Sequence, residues 1–194
     1  MFTPFILSGP SGVGKNTVLK HLRVLCPTLA ISLSTTTREP REGEVRDIDY
    51  RFVTADTFER LRLANEFLEY AEYGRNMYGT RLAESEKILL KQDLLFEVEC
   101  EGAAQIRNKL VGVVSFFLIP PSFTELERRL RTRDASLPEE EIRKRLERSM
   151  TELQRAHEFD FCIVNDDPNR AAAEIQRYIS LHRRIELHSC NNPH

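Results

Sequence analysis

Short apolar runs alternate with longer amphipathic segments along this chain. The runs at residues 5–7, 94–98, 113–119 and 161–164 are rich in β-branched and aromatic residues and end at turn formers. Near-continuous apolar runs of this length are typical of central strands that are covered on both faces. Between them, helical periodicity predicts helices over residues 16–25, 55–63, 81–91, 103–110, 122–133, 138–159 and 169–187. This alternation predicts an α/β fold with a largely parallel sheet flanked by helices.

Two segments interrupt the alternation. Residues 32–80 are crowded with Thr, Arg, Glu, Tyr and Gly and contain little continuous apolar sequence, so we interpret them as an inserted binding lobe. A second insertion is predicted around residues 131–145, where arginines flank residues 134–138. Those arginines are otherwise the solvated face of a helix, which is the usual origin of a charge run. With 194 residues, the chain is long enough for one well-buried core, and we expect a single domain.

The charge of the chain is nearly balanced, with 28 basic and 30 acidic residues and a formal net charge of -2. This balance does not by itself attract nucleic acid or an anionic membrane, so we expect neither as a partner. The apolar start is brief and lacks a basic flank, and no stretch approaches the length of a membrane span. The four cysteines show no Cys-x-x-Cys spacing, which favours reduced thiols in a cytoplasmic protein.

A glycine-rich segment follows the first apolar run and precedes the first predicted helix. It consists of Gly9, Pro10, Ser11, Gly12, Val13, Gly14 and Lys15. In a Gly-x-x-x-x-Gly-Lys segment, backbone N–H groups can converge on phosphate oxygens because the glycines carry no obstructing side chain. The helix that follows adds its positive N-terminal end, and Lys15 can reach the β- and γ-phosphates of a nucleotide. We therefore predict a P-loop at this position.

One position departs from the P-loop pattern. The pattern has Ser or Thr after the lysine, to place a hydroxyl on Mg²⁺, and this chain has Asn16 followed by Thr17. An amide oxygen is also a hard ligand and can bind the ion directly or through water. We predict Asn16 as a magnesium ligand on that ground. The departure bears on the metal assignment and leaves the nucleotide-binding prediction unchanged.

Residues 32–44 carry two arginines three residues apart, Arg38 and Arg41, with a run of hydroxyl residues before them. Guanidinium groups suit phosphate because they donate paired hydrogen bonds in a fixed plane. The alternative is a pair of surface arginines in a polar loop. Taken alone, the segment does not decide between the two.

Several short motifs occur together in the order and spacing of one family. They are the P-loop, residues 34–41, residues 49–53, residues 66–69, residues 78–80 and residues 165–167. In these motifs the chain resembles guanylate kinases from about residue 3 to residue 180. The resemblance implies a P-loop NTPase-type core (residues 1–31, 92–130 and 146–190), a GMP-binding lobe (about 32–91) and a small lid (about 131–145). It also implies transfer of the γ-phosphoryl group of ATP to GMP, and to dGMP, with Mg²⁺ as cofactor.

The resemblance assigns roles to individual residues. It implies that the GMP phosphate is held by Arg38, Arg41, Tyr50 and Tyr78, and that Ser34, Glu69 and Thr80 contact the guanine ring. A carboxylate such as Glu69 can accept from both N1–H and the exocyclic amine of guanine, whereas adenine offers an acceptor at N1. The residues expected at ATP are Gly9, Pro10, Ser11, Gly12, Val13, Gly14, Lys15, Asn16, Thr17 and Asn165.

The resemblance also places Arg133 and Arg145 on a mobile lid that closes over the phosphates, where they would act in catalysis with Lys15, Arg38 and Arg41. Arg131 and Arg143 lie close enough in sequence to be confused with the two lid arginines. Asn165 matches a position near the adenine of ATP, and it could otherwise cap or terminate the strand that precedes it.

Two stretches depart from the family pattern. Where guanylate kinases usually have Asp-x-Asp followed by glutamine and glycine, this chain has Glu97, Glu99 and Glu101 before its glycine. Each added methylene moves a carboxylate outward by about 1.5 Å. We predict Glu97 as a magnesium contact and Glu99 as a guanine contact. Asp47 stands where the family often has glycine, so we expect a different backbone path in that loop.

Two alternatives stay open beside GMP phosphorylation. Sugar-bisphosphate kinases that resemble guanylate kinases tolerate a polar non-hydroxyl residue after the P-loop lysine, but a sugar phosphate gives Ser34 and Glu69 no base to contact. Guanylate kinase-like domains in scaffold proteins bind phosphopeptides after losing the ATP site, whereas Lys15 and the P-loop glycines are present in this chain. The expected partners are the substrates ATP and GMP, bound by a monomer or homodimer.

Overall fold

The computed structural model describes residues 2–133 and 137–190. Their elements in chain order are β1 (Pro4–Ser8), α1 (Lys15–Leu25), β2 (Ala30–Ile31), β3 (Ser34–Thr36), β4 (Arg51–Phe52), α2 (Ala55–Leu63), β5 (Phe67–Tyr73), β6 (Asn76–Arg81), α3 (Leu82–Leu89), β7 (Leu94–Glu97), α4 (Cys100–Lys109), β8 (Val114–Ile119), α5 (Phe123–Arg133), α6 (Glu139–Gln154), β9 (Phe161–Val164) and α7 (Pro168–Cys190). They fall into two compact units, a first unit of Met1–Ser8 with Thr28–Ser115 and a second unit of Gly9–Pro27 with Phe116–His194.

Parallel strands form the core of the first unit. Strand β7 pairs in parallel with both β1 and β2, and its register sets Pro4 beside Leu94 and Leu7 beside Glu97. Residues 5–7 of β1 and 94–96 of β7 are fully buried, as their continuous apolar sequence predicts. These parallel strands form the buried centre of the first unit.

A four-stranded sheet in the order β4-β3-β6-β5 occupies the predicted lobe of the first unit. Strand β6 pairs antiparallel with β3 and β5, while β3 and β4 pair in parallel. Its apolar support is small and includes the stacked rings of Phe58 and Phe67, whose centroids lie 4.4 Å apart. One face of the sheet therefore remains available for polar side chains.

The second unit contains the parallel pair β8 and β9, with Phe116 beside Phe161. Helix α1 packs along α7, and α7 buries Ile175 and Ile179. The Tyr178 ring of α7 stacks on Phe161 at 4.1 Å between centroids. Apolar residues of α7 and β9 thus form the core beneath the glycine-rich segment.

The fold-class prediction is confirmed, since parallel strand pairs covered by helices occur in both units. The predicted helices occur within a few residues of their expected bounds, with two corrections. The helix predicted over residues 103–110 begins earlier, at Cys100. The helix predicted over residues 138–159 ends at Gln154 and continues as a 3-10 turn over Arg155–Glu158. The division into core, lobe and lid stays a prediction. No helix in the described part of the chain combines the length and apolarity needed to cross a membrane.

Candidate functional site

The glycine-rich segment forms a loop that wraps toward the start of α1. Gly12 and Gly14 adopt φ angles of 83° and 100°, in the left-handed region that favours glycine. A Cβ on Gly12 would lie 2.7 Å from Leu130, and a Cβ on Gly14 would lie 2.7 Å from the Asn165 amide nitrogen. The Lys15 Nζ reaches back to donate to the Gly9 carbonyl at 2.6 Å. Both glycines are therefore required by conformation and by space.

Helix α6 holds the outer turn of this loop. The Ser11 amide donates to Glu152 Oε2 at 3.2 Å, and the Ser149 hydroxyl donates to the Ser11 carbonyl at 3.4 Å. Ser149 is fully buried and Glu152 is 8% exposed. Arg148 donates to the other oxygen of Glu152 at 3.1 Å and so balances its charge. Sequence reasoning did not find these loop supports, which lie far from the loop along the chain.

The inner turn of the loop is held at a single carbonyl. The Val13 oxygen accepts from Asn165 Nδ2 at 2.7 Å and from Arg129 Nη1 at 3.1 Å. Arg129 also donates to the Asn165 carbonyl at 3.0 Å, and its Nε bonds Glu125. The Val13 side chain is fully buried. The P-loop is thus fixed in shape by α5, α6 and the residue after β9.

The backbone N–H groups of the predicted ATP residues are of two kinds: some donate within the protein, and others can bind phosphate. The Ser11 amide is used by Glu152, the Val13 amide donates to the Pro10 carbonyl at 3.2 Å, and proline has no amide hydrogen. The Thr17 amide donates to the Gly14 carbonyl at 3.1 Å. The Lys15 and Asn16 amides before it, at the start of α1, have no acceptor within the helix and can bind phosphate. Asn16 and Thr17 lie exposed on that first turn. The structure thus brings the P-loop predictions together around one helix start.

Asn165 contacts the P-loop directly. Asn165 is 1% exposed, and its side-chain Nδ2 donates to the Val13 carbonyl. Its Oδ1 has no hydrogen-bond partner in the described part of the chain. Its backbone amide donates to Ile119 at 2.8 Å, which continues the β8–β9 pairing. A role in shaping the loop is therefore visible, and the adenine contact stays a prediction.

The structure describes only part of the predicted lid. Residues 134–136 and the side chain of Arg133 lie outside the described part of the structure. Arg131 pairs through two hydrogen bonds of 2.6 and 2.7 Å with Glu139, so it is engaged in linking α5 and α6. The structure therefore gives Arg131 a role in joining these two helices.

Arg145 and Arg143 face different sides of α6. Each residue of a helix turns about 100°, so Arg145 lies roughly 40° from Ser149, whereas Arg143 lies roughly 120° from it. Ser149 and Glu152 touch the P-loop, and Arg145 is half-buried while Arg143 is exposed. The helical position supports Arg145, and not Arg143, as the arginine directed toward the P-loop side.

In the first unit, three residues predicted to hold the acceptor phosphate form one cluster. The Arg38 guanidinium lies 5.3 Å from the Tyr50 ring centroid, and the Tyr50 and Tyr78 rings lie 6.2 Å apart. Burial, aided by the nearby Glu97, raises the pKa of Tyr50 to about 12. The Tyr50 hydroxyl therefore stays protonated and can donate to an anion.

Glu44 holds this cluster through two hydrogen bonds. Its carboxylate accepts from Arg38 Nη2 at 2.8 Å and from the Arg41 amide at 2.8 Å. The pKa of Arg38 is raised, chiefly by its hydrogen bond to Glu44 and further by Tyr78. The Arg41 residue is exposed, in the same loop. Sequence reasoning missed Glu44, although an acid three residues after the second arginine was a readable signal.

The predicted guanine contacts lie in one row across three strands. Thr80 on β6 is paired with Ser34 on β3 and with Glu69 on β5. Tyr78 lies two residues from Thr80 and so shares its face of the sheet, about 7 Å away along the strand. The antiparallel register therefore brings the base and phosphate predictions onto one surface.

Glu69 is the buried acid of this row. It is 5% exposed and accepts from the Thr80 hydroxyl at 2.7 Å. Burial is the main cause that raises the pKa of Glu69 to about 7; Thr80 and Lys109 oppose the rise and the nearby Glu99 adds to it. A buried carboxyl with vacant acceptor capacity is suited to a ligand that presents two N–H donors.

The two glutamates that replace family aspartates lie near the same groups. Glu97 ends β7 and influences the Tyr50 hydroxyl, while Glu99 is the N-cap residue of α4 and influences Glu69. Both are half-buried. The structure therefore brings Glu99 close to the predicted guanine row and Glu97 close to the predicted phosphate cluster.

Asp47 adopts a backbone conformation that favours glycine. Its φ is 62°, in the left-handed region where aspartate is one of the better tolerated residues. Its amide donates to the Tyr50 carbonyl at 3.0 Å. The different backbone path expected for this loop stays a prediction.

Hard oxygen donors suited to Mg²⁺ are present at both predicted ligands. Asn16 has an exposed amide on the first turn of α1, and Glu97 has a carboxylate at the end of β7. Among the described residues, no group of three or more His, Cys, Asp or Glu side chains could hold a metal ion by itself. Mg²⁺ at kinase sites is bound by one or two carboxylates together with water and phosphate oxygens. This donor set fits that mode.

Comparison with known proteins finds similar chains over most of this sequence. The guanylate kinase family model matches residues 1–182. A guanylate kinase of Synechococcus sp. is 44% identical over 179 residues, covering 92% of this chain and 94% of that relative. One from Thermus thermophilus is 45% identical over 182 residues, covering 93% and 81%. The solved guanylate kinase of Anaplasma phagocytophilum matches with a TM-score of 0.75 and 30% identity, covering 93% of this chain and 86% of that one. The family match spans every residue of both sites.

Proposed function

The chain belongs to the guanylate kinase family, and on that premise we propose that it transfers the γ-phosphoryl group of ATP to GMP, and also to dGMP. The products are ADP and GDP or dGDP, formed in purine nucleotide metabolism. The observation that carries the proposal is the row of Ser34, Thr80 and Glu69 on the same sheet face as Tyr78. This surface offers acceptors for a guanine edge and, beside them, donors for a phosphate.

The base is selected by hydrogen bonding. Ionised Glu69 accepts from N1–H and from the exocyclic amine of guanine, with Thr80 already fixing one of its oxygens. Adenine presents an acceptor at N1, which would leave the buried carboxylate unpaired and would cost more binding than a change of size. GMP is therefore preferred to AMP.

Each phosphate is neutralised by its own set of groups. Lys15 and the amides of the α1 first turn bind the ATP phosphates, while Arg38, Arg41, Tyr50 and Tyr78 bind the phosphate of GMP. Transfer requires an oxygen of the GMP phosphate in line with the γ-phosphorus, and no covalent intermediate is needed. Arg133 and Arg145 stabilise the charge that develops on the transferred group.

We propose that Asn16 and Glu97 hold Mg²⁺, directly or through water. Held there, Mg²⁺ would neutralise the negative charge that develops during phosphoryl transfer. Asn16 replaces the usual hydroxyl without adding negative charge, so it does not repel the triphosphate.

We propose that the reaction takes place in the cytoplasm and that the protein acts as a monomer or homodimer. Its partners are the substrates ATP and GMP, with no nucleic acid or membrane partner. Cys26 and Cys162 are thiols and not disulfides, which supports a reducing compartment. The balanced charge supports the absence of polyanionic partners.

The decisive assay is coupled ADP release with ATP, Mg²⁺ and a panel of acceptors: GMP, dGMP, AMP and ribose phosphates. We expect turnover with GMP and dGMP and at least about a hundredfold lower kcat/KM with AMP, because one buried hydrogen-bonding group is left unpaired. Preference for a ribose phosphate would identify a sugar-phosphate kinase. Binding of GMP without release of ADP would identify a non-catalytic module, and either result overturns the proposal.

A further inference from the structure

Helix α4 occupies the outer edge of strand β5, which ends the four-stranded sheet. The side-chain amide of Gln105 pairs with both main-chain groups of Tyr70, accepting from its N–H at 3.1 Å and donating to its carbonyl at 2.8 Å. The Lys109 ammonium donates to the Phe67 carbonyl at 3.1 Å and to the Leu68 carbonyl at 2.6 Å. Helix side chains thus take the place of a neighbouring strand.

These two anchors lie on either side of Glu69. Gln105 holds the residue after it and Lys109 holds the two residues before it, where the strand register shifts between Phe67 and Glu69. Gln105 and Lys109 are four residues apart and therefore share one face of α4. A strand irregularity leaves main-chain groups unpaired and bends the strand, so its shape depends on such outside partners.

The same face of α4 also leaves room for the Glu69 carboxylate. Gly102, three residues before Gln105, is buried, and a Cβ placed on it would lie 2.8 Å from Glu69 Oε2 and 3.3 Å from its Cδ. The carboxylate therefore lies against the helix backbone at a place where no side chain intervenes. One helix face fixes both the backbone and the side chain of this residue.

We propose that Gln105 and Lys109 are positioning residues for guanine specificity, acting by holding Glu69 in the register that meets the guanine edge. This inference rests on the proposed function, since it assumes that Glu69 contacts the base. Neither residue needs to touch GMP. Displacing the strand by a fraction of a hydrogen-bond length would misalign the two acceptors of Glu69 with the two donors of guanine.

The test uses the full chain with Gln105→Ala and Lys109→Met, and Asn108→Ala as the matched control. Asn108 is exposed on the same helix, and no side-chain hydrogen bond of Asn108 is found among the described residues. Steady-state kinetics with GMP and with IMP, which lacks the exocyclic amine, separate base recognition from folding. We expect KM for GMP to rise about five- to tenfold in each variant, the loss associated with one hydrogen bond.

Three other kinetic parameters distinguish a positioning role from a merely structural one. The ratio of kcat/KM for GMP over IMP falls, kcat at saturating GMP stays within about twofold, and KM for ATP is unchanged. Lys109→Arg, which keeps two donors, restores the ratio. If both variants fold and leave the GMP-to-IMP ratio at the wild-type value, the proposal is overturned. A uniform loss of kcat with all substrates also overturns it.

A direct titration keeps this inference separate from the proposed function. If the wild-type chain makes no GDP, the proposed function has failed, and the Glu69 carboxyl can still be followed by carbon-13 NMR, assigned by its loss in Glu69→Gln. Removal of the Lys109 charge is expected to raise the Glu69 pKa, and Asn108→Ala is expected to leave it unchanged. An unchanged titration in Lys109→Met overturns the positioning role. If Gln105→Ala does not fold, Lys109→Met alone carries the test.

Discussion

In our proposal, the P-loop and the acceptor surface bind the same kind of group, phosphate, in different ways. The P-loop offers main-chain amides, and its shape is held from outside by Glu152, Ser149, Arg129 and Asn165. The acceptor surface offers side chains, which an antiparallel register sets side by side on one face. The P-loop therefore depends on a backbone conformation that neighbouring residues stabilise, whereas the acceptor surface depends on individual side chains.

This difference explains which substitutions each region accepts. A main-chain site tolerates Asn16 in place of a hydroxyl residue, because the amides that bind phosphate do not depend on that side chain. It does not tolerate a side chain on its left-handed glycines. A site built from side chains depends on each residue, so Glu in place of Asp at residues 97 and 99 directly changes how far the carboxylate extends from the backbone. The predictions below use this contrast.

The largest effect is expected for Lys15, the P-loop side chain that we propose binds phosphate. Lys15→Ala should lower kcat/KM by about a thousandfold, since the removed charge stabilises the developing charge of the transferred group. Lys20→Ala, an exposed lysine on the same helix, is the control. Steady-state kinetics and thermal unfolding of both variants provide the measurement. Wild-type-like turnover of Lys15→Ala would refute the P-loop assignment.

A glycine comparison tests the claim that loop shape matters. Gly14→Ala should destabilise the fold by about 3 kcal/mol, from left-handed strain and a clash at Asn165. Gly43 has a φ of 84°, and a Cβ added to it would meet nothing within 4 Å. It is therefore the control, and its alanine variant should lose only about 1 kcal/mol. Urea unfolding measures both. Equal losses would show that neighbours do not constrain the loop.

Removing an outside support should weaken ATP binding without touching the acceptor surface. Glu152→Ala leaves the half-buried Ser11 amide without its acceptor, so KM for ATP should rise about tenfold while KM for GMP stays constant. Glu152→Gln, which keeps an acceptor oxygen, should recover most of the loss. The exposed Glu147→Gln is the matched control on the same helix. An equal rise of both KM values would contradict the separation of the two regions.

The acceptor surface should show a titration that the P-loop lacks. Free Glu69 has a pKa raised to about 7, and only its ionised form offers two acceptors to guanine. Binding of GMP should therefore lower this pKa, and GMP affinity should fall as pH drops below 7, by about threefold to tenfold between pH 8 and pH 6. Carbon-13 NMR of the Glu69 carboxyl reports its ionisation apart from that of the GMP phosphate. A pKa that GMP does not move would remove Glu69 from the guanine site.

The smallest effect is expected in the loop at Asp47. Asp47→Gly relieves left-handed strain of about 1 kcal/mol but loses an exposed ion pair with Arg51 and gains freedom in the unfolded chain. These terms nearly cancel, so the free energy of unfolding should change by less than about 0.5 kcal/mol. Asp47→Ala keeps the strain and should be the less stable variant. The reverse order in urea unfolding would contradict the strain argument.

The sequence predicted local features well and distant contacts poorly. Glycine spacing before a helix located the P-loop, but Ser11 and its partner Glu152 are 141 residues apart, and no local pattern joins them. Strands β3 to β6 are polar and contain no continuous apolar run that would predict them, and only the structure shows their pairing register. Helical periodicity also continues through Arg155–Glu158, where the structure tightens to a 3-10 turn, because both helix types place residues three apart on one side. Residue roles at the acceptor surface came from family resemblance.

The most direct test of two separable nucleotide sites is calorimetric titration of GMP and of a non-hydrolysable ATP analogue, each alone, into three proteins: wild type, Lys15→Ala and Arg38→Ala. The account predicts that Lys15→Ala loses affinity for the ATP analogue and keeps GMP affinity within about twofold, while Arg38→Ala shows the opposite pattern. Loss of both ligands in either variant, or of neither, would contradict it.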